Sequence, residues 1–103
     1  HIYQLIINYS VKRMHDWALQ SIHVDWASGI AYIELKDSAS NVRAIEIKDL
    51  RNMVIPKKNP WGKSFLVNEA THNIDDVTKE HHLVIEMQSG DLIKVEAGFI
   101  SKV

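Results

Sequence analysis

The sequence predicts a mostly β protein. Antiparallel hairpins and a meander, about six or seven short strands in all, would form a small sandwich or barrel, and a short N-terminal helix is the alternative for the opening residues. Two observations carry this expectation. Apolar and polar residues alternate over short runs, and turn-forming residues recur roughly every ten positions. With four Gly, two Pro, no repeat and no low-complexity tract, the 103 residues read as one β-rich domain spanning positions 1–103.

Residues 1–14 carry two patterns. Tyr3, Leu5, Ile7, Tyr9 and Val11 alternate as one face of a strand would, while Ile2, Leu5, Ile6 and Tyr9 fit a helical stripe. The strand is favoured, because Ile and Tyr suit strands and no helix cap precedes the run. Next, Ile22, Val24 and Trp26 alternate with Ser21, His23 and Asp25, predicting a strand that buries the first set. Ala27, Ser28 and Gly29 make a turn, and Ala31, Ile33 and Leu35 form the returning strand, with Glu34 and Lys36 outward. A polar cluster over 37–41 leads to a third strand with Arg43, Ile45 and Ile47 on one face. Residues 49–55 continue extended or turn a corner, and Pro56 and Pro60 bracket a loop. Residues 64–67 are a short apolar run. The stretch 71–80 is polar, with a helix-like fragment over 75–80 too short to stand alone. The last hairpin is the clearest element: Leu83, Ile85 and Met87 on one face, a turn at Ser89, Gly90 and Asp91, and Ile93, Val95, Ala97 and Phe99 returning.

Composition excludes several chemistries. Without cysteine there are no disulfides, thiol nucleophiles or Cys-ligated metals. Twelve Lys+Arg against 13 Asp+Glu is not the basic surplus of a general nucleic-acid or membrane-surface binder, and no apolar run approaches the roughly 20 residues of a membrane span. The chain starts at His1 rather than Met, as after processing or trimming, and residues 2–11 lack the basic region and cleavage site of a signal peptide. A cytoplasmic location is expected.

Residues 55–64 stand out. They hold both prolines, Trp61, Gly62 and the lysines Lys57, Lys58 and Lys63, ending at Ser64. As a recognition loop, Lys57, Lys58, Trp61, Gly62, Lys63 and Ser64 would form a binding site, with Trp61 as anchor and the lysines drawing an acidic protein partner. In the other reading Trp61 folds back to cap the core and the lysines are merely solvated. Stacking of nucleic-acid bases on Trp61 is disfavoured by the overall charge.

Other candidates are weaker. His15, Asp16, His23, Asp25, His81 and His82 are the residue types of a cysteine-free metal site, yet His81 and His82 would point to opposite strand faces, and His23 and Asp25 to solvent. Asp16 fits a turn or capping role, accepting a backbone N–H. Glu86 and Asp91 flank a turn without a pocket, and no nucleophile or phosphate-loop motif is present. No catalytic residues, metal ligands or cofactor are assigned. The expected function is non-enzymatic protein binding, with a His/Asp/Glu metalloenzyme and a self-associating structural protein pairing open strand edges as competitors.

Three segments together resemble uncharacterised small bacterial single-domain proteins. They are His15, Asp16 and Trp17 before a strand; Pro60, Trp61, Gly62 and Ser64 with Asn68 four residues on; and the run Ile85, Glu86, Met87, Gln88, Ser89, Gly90, Asp91. The resemblance covers about residues 14–99 and implies a bacterial source, one β-rich domain and a structural role for these motifs. A looser likeness is to toxin-immunity proteins, which act by binding alone; many that neutralise nucleases are strongly acidic, unlike this chain.

Overall fold

Strand alternation decides the architecture, and the computed structural model, which describes residues 6–10, 14–59 and 64–101, contains seven strands in one antiparallel sheet. They are β1 (Ile6–Ser10), β2 (Ala18–Asp25), β3 (Ile30–Lys36), β4 (Val42–Val54), β5 (Val67–Asp75), β6 (His81–Met87) and β7 (Leu92–Ile100). Their order across the sheet is β1-β5-β6-β7-β4-β3-β2. A second hydrogen-bonded layer, as in a sandwich, is not present among the described residues.

The predicted inner faces are largely correct. Ala31, Ile33 and Leu35 of β3, Ile45 and Ile47 of β4, Leu83, Ile85 and Met87 of β6, and Ile93, Val95 and Ala97 of β7 are all buried on one face. Cross-strand register joins them, with Ile33 opposite Ile45 and Ile85 opposite Ile93. Side chains on one face of a single layer become this inaccessible only if the sheet curls over that face. Backbone bonds mark the curl. The N–H groups of Asp16 and Leu19 donate to the carbonyls of Val67 and Phe65, the Val67 N–H donates to Trp17, and Ala18 bridges Leu66. The lead-in to β2 thus meets the lead-in to β5, and Met14 and Trp17 are buried at the junction.

Irregularities in the strands account for the expectations that fail. In β2 the register slips between Leu19 and Ser21, so Leu19 and Ile22 both pack on the core. Val24 and Trp26, predicted to be buried with Ile22, are 47% and 92% exposed, Val24 on the stretch of β2 that pairs with β3 alone and Trp26 in the turn that follows. The first half of the polar stretch 71–80 belongs to β5, whose slip between Val67 and Glu69 puts Val67 and Ala70 on the inner face and masks the alternation. The helix-like fragment at 75–80 is a turn, its backbone N–H groups at Val77 and Thr78 donating to the Asp75 carboxylate. On β7, Phe99 is exposed and Ile100 buried instead, the alternation breaking at Gly98, which lies against Asp49 and its positive φ.

Of the opening segment, Ile6–Ser10 is a strand paired with β5, as favoured over the helix. The rest of the proposed Tyr3-to-Val11 strand lies outside the described residues, as do Pro60, Trp61, Gly62 and Lys63.

Candidate functional site

The longest strand creates the most distinctive surface. β4 pairs with β3 only as far as Ile47, then bends at Asp49, whose φ is +53°, and pairs through Val54 with β7. The Leu50 N–H donates to the Gly29 carbonyl at 2.9 Å, tying the bend to the β2–β3 turn. Beyond that bond, residues 50–54 have only β7 as a strand partner among the described residues. β2 is likewise open: residues 20–25 pair with β3 alone, and the bridge to Leu66 stops at Ala18.

A cleft runs between these two open edges in two chambers that share Ile55. The larger, about 460 Å³, is lined by Val24, Asp25 and Trp26 on one wall and by Leu50, Met53 and Ile55 on the other. The smaller, about 260 Å³, lies between Ile22 and a wall holding Pro56, Lys57 and Phe65, with Ile93 also lining it. Val24, Trp26, Ile55 and Phe65 are exposed apolar side chains, so this groove is greasy and open to water. Sequence reasoning missed Trp26 because its alternation with Ile22 and Val24 looked like a core face.

Of the predicted binding residues, Lys57 and Ser64 line the smaller chamber, and Lys58 is adjacent. Their position follows from Asp91. This carboxylate is only 7% exposed and accepts hydrogen bonds from the N–H groups of Lys58 and Asn59, from Asn59 Nδ2 at 3.2 Å and from the Ser89 hydroxyl at 3.1 Å. Burial alone would raise its pKa, but these donors outweigh it and hold the carboxyl below the usual range. Asp91 therefore clamps the loop after β4 to the β6–β7 turn.

Asp25 lines the larger chamber, and most of the remaining candidates fall into two polar groups. His15, Asp16, Asn68, Glu86 and Gln88 meet at the junction of the curl. His15 Nδ1 donates to the Asn68 carbonyl at 2.8 Å, Asn68 Nδ2 to Glu86 at 3.1 Å, and Gln88 Nε2 to both Asp16 and the Val67 carbonyl. Asp16 thus accepts from a glutamine side chain rather than from a backbone amide, and its φ of +69° turns the chain into β2. His15 and Asp16 are exposed there.

The second group surrounds β6. His81 and His82 do point to opposite faces. His82 lies 3.1 Å from Glu80 and near Glu96, a set whose donor atoms fall within 4.8 Å of one another, as a metal would require. Arg51 already holds the second oxygen of Glu80 at 3.1 Å and Asn52 donates to Glu96, which makes the cluster an ion-pair network across β4, β6 and β7. On the inner face His72 Nε2 approaches His81 Nδ1 at 2.9 Å, and the Ile100 N–H donates to the same nitrogen. His23, at the surface, pairs with Glu34 at 2.8 Å.

Comparison with protein-family models, curated proteins and solved structures finds no match. Among the described residues, no helix is long and apolar enough to cross a membrane.

Proposed function

We propose that this chain is a cytoplasmic, non-enzymatic binding domain that contacts a protein partner through the β2–β4 cleft and the adjoining 56–64 loop. The observation that carries the reading is Trp26, 92% exposed at the mouth of an apolar cleft. A large aromatic side chain left in water beside an apolar groove is the usual energetic centre of a protein contact. The cleft walls are largely apolar, with Asp25 and Arg51 in the larger chamber and Lys57 in the smaller, a chemistry suited to holding a ligand. Lys57 and Ser64 on the second wall support the loop's part in the same surface, and Trp61 completes that loop in the sequence. Neutralising a toxin by binding is one form this activity would take.

The test is affinity capture from the source organism with wild-type, Trp26→Ala and Trp61→Ala chains as bait, followed by calorimetry on the purified partner. The expected outcome is a partner held by the wild type and lost with Trp26→Ala at unchanged melting temperature. Equal capture by wild type and Trp26→Ala refutes the reading.

A further inference from the structure

We propose that the occupant of the cleft is an extended polypeptide segment of the partner, which adds as a strand between β2 and the second half of β4 and presents an acidic side chain at the Lys57–Lys58 end. This deepens the protein-binding reading and rests on it. Both walls of the larger chamber are strand edges, and in the smaller one β2 faces the loop that follows β4. Along residues 20–25 and 50–54 the outward backbone N–H and C=O groups have no strand partner among the described residues, apart from the Leu50 amide bonded to Gly29. A ligand able to satisfy a row of alternating donors and acceptors must carry the same row, and an extended peptide main chain does so.

The apolar side chains follow the same logic. Val24, Trp26 and Met53 line one chamber, and Ile22, Phe65 and Ile93 the other, so apolar contacts repeat along the cleft as alternate side chains of a strand would require. Residues 19–22 and 24–26 line its β2 wall, and a segment of matching length is about six to eight residues, or roughly 20–26 Å.

Charge sets the polarity. Lys57 lines the smaller chamber and Lys58 follows it; both are exposed and neither has an ion-pair partner among the described residues. The Asp91 clamp on the backbone of Lys58 and Asn59 holds this basic pair in place. At the opposite end Asp25 is exposed and likewise without an ion pair among the described residues, while Arg51 in the same chamber is already held by Asp49 and Glu80. A segment with a carboxylate at one end and a cation at the other complements both.

The experiment selects random peptides of about eight residues, displayed on phage, against the purified full chain. The best binders are then synthesised with and without N-methylation of alternate backbone amides, in both registers. The expected result is enrichment of alternating apolar peptides with Asp or Glu at one end. Affinity should fall about tenfold or more with Trp26→Ala and with Lys57→Glu/Lys58→Glu, and in one register of N-methylation, with melting temperatures unchanged. Binding that survives N-methylation in both registers overturns strand addition and leaves protein binding standing. No enrichment, combined with Trp26-dependent capture of a folded partner, overturns the extended segment alone. No enrichment together with Trp26-independent capture overturns both readings. A Trp26-dependent dimer in sedimentation would make a second copy the occupant and overturn the proposal.

Discussion

His81 and Asp91 carry the most interpretable chemistry of single side chains in the molecule. Burial, reinforced by the neighbouring His82, lowers the pKa of His81, and the Ile100 amide requires its Nδ1 to be an acceptor. The unfolded chain therefore takes up this proton first, near pH 6.5. The contribution to stability is fully present above that pH and is lost as pH falls through it toward the folded value. Chemical denaturation between pH 8 and 5 should show stability declining below about pH 6.5, and His81→Phe should flatten that decline relative to the wild type. An unchanged slope in the variant would assign the titration elsewhere. For Asp91, the expectation is local. Asp91→Ala removes the acceptor of the Lys58 and Asn59 amides, so their hydrogen exchange should accelerate while amides of β6 stay protected. Equal exchange in the two proteins would refute the clamp. Neither role could be read in the sequence, where Asp91 is a turn residue and His81 half of a pair pointing opposite ways; both depend on partners brought close by the fold.

At the level of elements, the bend in β4 is what opens the cleft, and it depends on a contact between two strands. A Cβ on Gly98 would come within 2.9 Å of Asp49 Cβ and closer still to its carboxylate, so glycine is required opposite the bend. Gly98→Ala should cost about 1–3 kcal/mol by urea denaturation. Asp49 holds a positive φ that glycine adopts without strain, and Asp49→Gly also removes the clashing side chain. In the Gly98→Ala background, Asp49→Gly should recover much of the loss, and strictly additive effects would contradict the contact. The slips in β2 and β5 belong to the same class of feature. Each places one extra residue between inward side chains, which is why Val67 and Ala70, three apart, share a face that strict alternation would have divided.

For the whole molecule, stability and recognition separate by location. Ile33 and Ile85 are fully enclosed on the inner face, so Ile85→Ala should lower unfolding free energy by about 2–5 kcal/mol. Trp26→Ala, at the rim of the cleft, should change it by less than about 0.5 kcal/mol. Thermal and urea melts of the two variants compare them directly, and a large loss with Trp26→Ala would mean that this ring supports the fold. The sequence by itself determined the mostly β class, the hairpins and the inner faces of β3, β6 and most of β7, because alternation and turn chemistry are local and survive in any arrangement of strands. Tertiary structure alone decided that the seven strands make one curled sheet, that Trp26 is exposed, and that β2 and β4 leave a cleft between them. Those outcomes depend on which strand edges find partners, and pairing between segments distant in the chain leaves no periodic mark in either one.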